Sequence, residues 1–99
     1  MEFKIKEKSM LARLAAWKLK SKNVAITFGN KIHLYNISKE EFLKNEKWVK
    51  HELCHVRQFE KYGFFPFICM YLWESIKVGY NKNKFEAEAR EAGNEPKLN

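Results

Sequence analysis

The 99-residue chain is predicted to fold as an α+β protein, with a small antiparallel β-hairpin packed against helices. Apolar residues recur at helical spacing before and after residues 24–35, whereas that segment is rich in β-forming residues and is divided by a Gly-Asn pair. A chain of this length supports one domain with one modest core. We expect that domain to span residues 1–93 and the polar residues 94–99 to form a tail.

The first part of the domain is predicted to be a helix followed by the hairpin. Ser9 is the expected N-cap of a helix over residues 9–20, in which apolar residues follow one another at helical spacing. A turn at Gly29 and Asn30 then separates two short β-rich runs. Residues 24–35 should therefore pair as an antiparallel hairpin.

Four further helices are predicted after the hairpin, and capping residues mark their ends. Ser38 and Glu41 form a capping box, and Gly63 stands where a helix C-terminus favours glycine. Pro66 lies in the first turn of the helix that follows, where its missing N–H costs nothing. The predicted helices cover residues 38–44, 45–63, 64–79 and 85–93.

The composition excludes a disordered chain, because 45% of the residues are hydrophobic and 15% are aromatic. The formal net charge of +7 comes from 19 Lys and Arg against 12 Asp and Glu. This balance permits binding to nucleic acid or to an anionic membrane. The basic residues are scattered, however, without a run of five, so we interpret them as a solvated surface and expect no nucleic-acid partner.

The sequence has the character of a soluble, intracellular protein. Arg13 and Lys18 interrupt the apolar residues near the N-terminus, which argues against a signal peptide. The longest apolar stretch, residues 64–73, is half as long as the roughly 20 residues that a membrane-spanning helix needs. Cys54 and Cys69 make no disulfide framework. We expect a cytoplasmic protein without a transmembrane segment, whose aromatic-rich surface favours homodimers or higher homo-oligomers.

His51 and His55 stand four residues apart in a predicted helix, so they lie on one face about one turn apart. Two imidazoles so placed can bind one zinc ion. Glu52, beside the first of them, can polarise a water that the zinc has acidified. This is the H-E-x-x-H pattern of zinc metalloproteases. The aliphatic residues of the helix form a neighbouring stripe that should face the core: Val49, Leu53 and Val56.

A catalytic zinc site needs a third protein ligand. His33, the other histidine, lies in the predicted hairpin, whereas the last helix offers Glu86, Glu88 and Glu91. Glu86 and Glu88 point to different sides of that helix, so only one of them can face the metal. We expect Glu86, because the small Ala89 on its face allows close approach of the two helices. Glu88 remains the alternative.

Three features together resemble the minigluzincins, small soluble metallopeptidases of the gluzincin group from thermophilic prokaryotes. They are the segment HELCHVRQFEKYG, the aromatic helix after it and the segment GYNKNKFEAEAREAG. The resemblance covers about residues 24–93. It implies a minimal gluzincin fold in which His51, His55 and Glu86 hold zinc. Glu52 would be the general base and acid in the hydrolysis of peptide bonds.

The resemblance also implies roles around the third ligand. The family's E-x-x-A pattern matches Glu86 and Ala89, but Arg90 stands where related enzymes carry an aspartate that orients a motif histidine. Another group is therefore expected to orient that histidine. Gluzincins place a Tyr or His near the ligand glutamate to stabilise the oxyanion, and Tyr80 is the candidate here.

A partner and a form of regulation follow from the same resemblance. The run KIHLY, residues 31–35, resembles the edge strand on which this group holds an extended peptide substrate. Family members are described as zymogens, so residues 94–99 are a candidate inhibitory segment. The alternative class is a non-catalytic, zinc-stabilised module that binds nucleic acid or a membrane surface. Such a module would have no use for Glu52.

Overall fold

The predicted α+β class is confirmed by the computed structural model, which describes residues 3–94. Within these residues five helices pack with a three-stranded sheet. The strands are β1 (Lys4–Lys6), β2 (Val24–Phe28) and β3 (Lys31–Tyr35). The helices are α1 (Met10–Leu19), α2 (Lys39–Lys44), α3 (Glu46–Tyr62), α4 (Phe64–Val78) and α5 (Lys84–Gly93). The predicted inhibitory tail, residues 94–99, lies outside the described residues apart from Asn94.

The sheet is mixed, because an N-terminal strand that the sequence analysis did not predict joins the hairpin. β1 pairs with β3 in parallel and β2 pairs with β3 antiparallel, so the strand order is β1-β3-β2. The prediction that residues 31–35 form an edge strand is therefore wrong, since β3 is hydrogen-bonded on both sides. The edge of the hairpin is β2. In the sequence β1 shows only one apolar residue, Ile5, between Lys4 and Lys6, which is too short an alternation to predict a strand.

The predicted N-caps are both present and explain where the first two helices begin. The hydroxyl oxygen of Ser9 accepts a hydrogen bond from the N–H of Ala12 at 3.4 Å. The hydroxyl oxygen of Ser38 accepts one from the N–H of Glu41 at 3.1 Å. Each cap satisfies a backbone donor that the first helical turn leaves without an intrahelical partner.

Helices cover both faces of the sheet. On one face, α1 packs Ala12 and Ala16 against Val24. The core between the opposite face and α3 consists of Ile32, Leu34, Phe42, Leu53 and Val56. A third cluster is aromatic and joins α3, α4 and α5; it contains Phe59, Phe67 and Phe85. Helix α3 is therefore held between the sheet and α5, and the apolar stripe predicted for it does face the core.

Helices α3 and α5 lie side by side in opposite directions. Gln58, near the end of α3, donates to the carbonyl oxygen of Phe85 at the start of α5. At the other end, a Cβ atom added to Gly93 would lie only 2.9 Å from the carbonyl oxygen of Lys47. Ala89, between these points, is completely buried. Small residues thus bring α5 close to the helix that carries the H-E-x-x-H motif.

A buried asparagine fixes the start of α5 against α4. The side-chain oxygen of Asn83 accepts from the N–H of Phe85 at 2.8 Å, which caps α5. Its amide nitrogen donates to the carbonyl oxygen of Tyr71 at 3.1 Å and to the hydroxyl of Ser75 at 2.9 Å. These bonds set the position of Glu86, three residues further on, relative to Tyr71.

Two features of the described residues bear on the chain's surroundings. No helix within residues 3–94 is both long and apolar enough to cross a membrane. Both cysteines have free thiols, that of Cys54 buried and that of Cys69 exposed.

Candidate metal centre

Three side chains from two helices converge on one point. His51 and His55, one turn apart on α3, each place Nε2 3.2 Å from Oε1 of Glu86 on α5. The potential ligand atoms of the three residues all lie within 4.8 Å of one another. The group could therefore hold one metal ion. It consists of the two histidines and the glutamate that the sequence singled out.

The electrostatics of this group favour a positive charge between its members. Burial alone would raise the pKa of Glu86, but hydrogen bonds with His51 and His55 hold it well below its usual value. Burial alone would lower the pKa of His55, but the hydrogen bond to Glu86 and the charge of that carboxylate raise it. Either a proton or a metal cation can supply the positive charge that the carboxylate favours.

Gln58, one turn after His55, fixes the orientation of that imidazole. The amide nitrogen of Gln58 donates to the carbonyl oxygen of Phe85 at 3.1 Å and to Oε1 of Glu88 at 2.7 Å. Its Oε1 is therefore the atom that lies 2.8 Å from Nδ1 of His55. Since an amide oxygen can only accept, Nδ1 carries a hydrogen. Nε2 then either carries a second proton, which it donates to Oε1 of Glu86, or, in the neutral Nδ1–H tautomer, offers its lone pair to a metal ion. This tautomer fits a metal ion bound at Nε2.

The resemblance leaves the group that orients a motif histidine unnamed, and for His55 the structure supplies Gln58. Arg90, which stands at the aspartate's position, donates instead to the carbonyl oxygen of Asn81 at 2.6 Å and holds the turn before α5. The sequence contained a signal for Gln58, because a residue three positions after His55 lies on the same face of the helix.

Tyr71 of α4 belongs to the site, although the sequence analysis did not select it. Its hydroxyl donates to Oε2 of Glu86 at 2.5 Å, so the carboxylate is held at both oxygens. The Tyr71 ring lies edge-on to His55, with centroids 6.4 Å apart. Burial and the hydrogen bond to Glu86 raise the pKa of Tyr71, which keeps the hydroxyl protonated. In the sequence this tyrosine is one of many aromatic residues in α4.

Glu52 lies beside the three potential ligands. Its side chain is almost completely buried, and its Oε1 accepts a hydrogen bond from the Thr27 hydroxyl at 2.8 Å. The same hydroxyl lies 3.2 Å from the backbone carbonyl oxygen of Glu52. Burial raises the pKa of Glu52 to about 6, although His55 and His51 act to lower it. Thr27, which sequence reasoning missed, therefore ties β2 to the motif helix.

Tyr80 lines the same cleft as the metal group, from the turn between α4 and α5. Its side chain is about half exposed, at 46%. Burial and the charges of Glu86 and Glu52 raise the pKa of Tyr80 to about 12. The Tyr80 hydroxyl is therefore a neutral hydrogen-bond donor at ordinary pH, and it lies close to Glu86 and Glu52.

Glu88 does not join the histidines. Its Oε1 accepts from Gln58 and lies 3.8 Å from Sγ of Cys54. Burial and the charge of Glu88 raise the pKa of the Cys54 thiol to about 11, so this thiol stays neutral. His33 lies on the α1 side of the sheet, where its Nδ1 is 2.7 Å from the Ser9 hydroxyl. Neither Cys54 nor His33 belongs to the potential ligand group.

A mainly apolar cleft of about 260 Å³ opens beside the metal group. Its walls come from α1, β2, α3 and α4. The apolar side chains lining it include Leu19, Phe28, Phe59, Phe67, Ile68 and Leu72. One wall is the edge strand β2, whose outer side pairs with no strand of residues 3–94. Thr27 of this strand contacts Glu52, so the edge strand lies next to that carboxylate.

The fold and the site together define an α+β protein with a candidate His₂Glu metal centre in the wall of an apolar cleft. The chain matches no protein-family model, no curated protein and no solved structure. The resemblance to the minigluzincins thus stays a prediction from the sequence motifs. A function for the chain has to be inferred from the geometry of the site.

Proposed function

We propose that this protein is a zinc-dependent endopeptidase of the minimal gluzincin type. The main support is the convergence of His51, His55 and Glu86 on one point, with the Glu52 carboxylate beside them in the wall of a cleft. A structural zinc site normally has four protein ligands, whereas a catalytic one has three and keeps a position for water or substrate. Among residues 3–94, the potential ligand group has three members.

Zinc suits the donors of this group. Two imidazole nitrogens and one carboxylate oxygen form a ligand set typical of catalytic zinc. Gln58 and Tyr71 hold His55 and Glu86 by their other polar atoms, which is how outer hydrogen bonds support metal ligands. Zinc bound here would supply a Lewis acid that polarises a carbonyl group and acidifies water.

Glu52 is the proposed general base. Its carboxylate is next to the metal group without being part of it, and the hydrogen bond from Thr27 to Oε1 keeps it in place. In the proposed reaction Glu52 accepts a proton from the attacking water and then donates it to the leaving amine nitrogen. No covalent intermediate with the protein is required.

The substrate is proposed to be an extended polypeptide bound along β2. An edge strand offers backbone N–H and C=O groups that pair with an added strand, whereas the apolar cleft receives side chains. In this proposal Tyr80, which lines the cleft, donates a hydrogen bond to the oxyanion as the carbonyl is attacked. Substrate selection would then depend on apolar side chains near the scissile bond.

Latency through the C-terminal segment is part of the same proposal. Removing the residues after Gly93 is expected to raise the rate of cleavage, with unchanged zinc content. If truncation leaves the rate unchanged, the tail is not inhibitory.

The alternative function is a zinc-stabilised binding module without turnover. The net charge of +7 favours it, because nucleic acids and anionic membranes attract such a surface. Glu52 separates the two proposals, since a purely structural site has no need of a buried carboxylate beside its ligands.

Cleavage of an unfolded protein by the zinc-loaded chain tests the proposal. Activity should disappear with a chelator and return with zinc. Glu52→Gln is expected to lower kcat by roughly 10²–10⁴-fold while zinc content, measured by elemental analysis, stays the same. Glu60→Gln, an exposed position on the same helix, is the matched control.

Two results would contradict the endopeptidase. Activity that survives Glu52→Gln would remove the general base. Zinc binding without cleavage, both in the full chain and after removal of the tail, would favour the binding module.

A further inference from the structure

Helix α4 exposes an apolar stripe on the side that faces away from the core. Its inner side packs Phe67 into the aromatic cluster and directs Tyr71 to the metal group. The outer stripe consists of residues at helical spacing, with two neighbours in the middle: Phe65, Cys69, Leu72, Trp73 and Ile76. They are all exposed, with Ile76 at 76% and Trp73 at 61%. We call this set the α4 stripe. It contains no charged residue.

Helix α1 has the same character on the other side of the cleft. Met10, Leu14 and Trp17 are 78%, 62% and 76% exposed, whereas its small residues Ala12 and Ala16 face the sheet. Leu19 of α1 and Leu72 of α4 line the same cleft. Two helices with exposed apolar faces thus flank its opening. Contiguous apolar surface of this kind marks an interaction site.

The positive charge of the protein is concentrated in the same parts of the chain. Residues 8–39, which include α1, contain seven Lys and Arg and no acidic residue. Residues 64–84, which include α4, contain three Lys and one acidic residue, Glu74, which is paired with Lys77 at 3.3 Å. The rest of the chain therefore carries no net positive charge. The exposed apolar residues of α1 and α4 thus lie in segments of the chain with a net positive charge, and on α1 itself Arg13 and Lys18 are both exposed.

We propose that α1 and α4 bind the surface of a lipid bilayer that contains anionic phospholipids. Exposed Trp, Phe and Leu side chains beside Lys and Arg are the composition of helices that lie in a membrane interface. The apolar side chains enter the boundary between headgroups and acyl chains, and the lysine ammonium groups stay among the phosphates.

A bilayer suits this surface better than a second copy of the chain. A second copy brings the same uncompensated lysines and arginines, so association of the two faces places like charges together. An anionic lipid surface has the opposite sign.

Co-sedimentation of the full, zinc-loaded chain with vesicles tests the proposal. Binding to vesicles of phosphatidylcholine and phosphatidylglycerol should exceed binding to phosphatidylcholine alone by at least about tenfold, and should fall as salt is added. In a variant with Trp17→Phe and Trp48→Phe, the emission of Trp73 should shift to shorter wavelength with the anionic vesicles. No peptidase activity is needed, so the result is independent of the proposed function.

Paired substitutions separate the apolar and the ionic contributions to vesicle binding. Trp73→Ser with Ile76→Ser is expected to weaken binding by about tenfold or more, whereas Leu43→Ser, an exposed leucine on α2, should not change it. Lys18→Gln with Lys82→Gln should weaken binding to the anionic vesicles by roughly tenfold. Lys44→Gln with Lys61→Gln, on α2 and α3, is the control. All of these side chains are exposed, and circular dichroism checks that each variant is folded.

Some outcomes would overturn the proposal. Absence of binding to anionic vesicles would do so, as would equal binding of the native chain and the Trp73→Ser, Ile76→Ser variant. A dimer seen by sedimentation velocity, abolished by that variant and without vesicle binding, would show that a second copy covers the stripe.

Discussion

The Nδ1 atom of His55 lies 2.8 Å from the amide oxygen of Gln58. This contact fixes the imidazole tautomer, and it links the motif helix to α5 because the same glutamine donates to Phe85 and Glu88. The orientation of a potential metal ligand is thereby set by the packing of two helices.

Replacing Gln58 by Leu is expected to lower zinc affinity by about 10–100-fold, the range for loss of an outer partner of a metal-bound histidine. The substitution removes the acceptor that holds Nδ1–H of His55 and keeps a side chain of similar size. Competition with a chromophoric chelator measures the affinity. Arg57→Leu, an exposed neighbour on α3, is the control and should bind zinc normally. Equal affinity in both variants would contradict the orienting role.

Glu86 and Glu88 of α5 should differ sharply in their effect on metal binding. Glu86→Gln is expected to reduce zinc affinity by more than about 100-fold, since a direct ligand should matter more than an outer partner. Glu88→Gln should retain most of the affinity, because Glu88 contacts Gln58 and not the histidines. Elemental analysis after dialysis measures both. Loss of zinc only in the Glu88 variant would reverse the assignment.

Substitutions of the two tyrosines near Glu86 should have different effects, one on metal binding and the other on catalysis. Tyr71→Phe removes the hydrogen bond to Oε2 of Glu86, so zinc affinity is expected to fall by roughly tenfold. Tyr80→Phe should leave zinc affinity unchanged and lower kcat, if its hydroxyl stabilises the oxyanion. Steady-state kinetics at saturating zinc, together with metal titration, distinguishes the two effects. A fall in zinc affinity in the Tyr80 variant would contradict this division.

The ionised carboxylate of Glu52 should lower the free energy of unfolding of the metal-free protein at neutral pH. Burial raises its pKa from 4.5 to about 6, so the folded protein binds this proton more tightly than the unfolded chain does. Folding stability contributed by the protonated form is therefore present below pH 4.5 and lost as the pH rises through about 6.

Glu52→Gln keeps the acceptor for Thr27 without the charge. We expect it to increase the free energy of unfolding above pH 6 by about 2 kcal/mol, the equivalent of the pKa shift. The difference from the native chain should vanish below pH 4.5. Urea denaturation of the chelator-treated proteins at a series of pH values measures this. A gain that is the same at every pH would show that the charge of Glu52 is not its cause.

Several features of the fold could be predicted because they depend on local pattern. Helical spacing and the capping residues Ser9 and Ser38 located α1 and α2, and the Gly-Asn turn located the hairpin. The strand β1 was not predicted, because three residues with one half-buried side chain give little periodicity. Its parallel pairing with β3 also changed which strand is the edge, and a hairpin alone does not specify its outer neighbours.

The sequence by itself determined the spacing of His51 and His55, which puts both imidazoles on one face of a helix. It also favoured Glu86 over Glu88, since the small Ala89 on the face of Glu86 allows the two helices to approach closely. Only the tertiary structure decided which groups complete the site. Thr27, Gln58 and Tyr71 act through contacts with Glu52, His55 and Glu86 that depend on how the sheet and helices pack. The contacts of Thr27 and Tyr71 leave no periodic signal, because each joins two separate elements. The contact of Gln58 with His55 lies within α3, but the orientation of the Gln58 amide depends on Phe85 and Glu88 of α5.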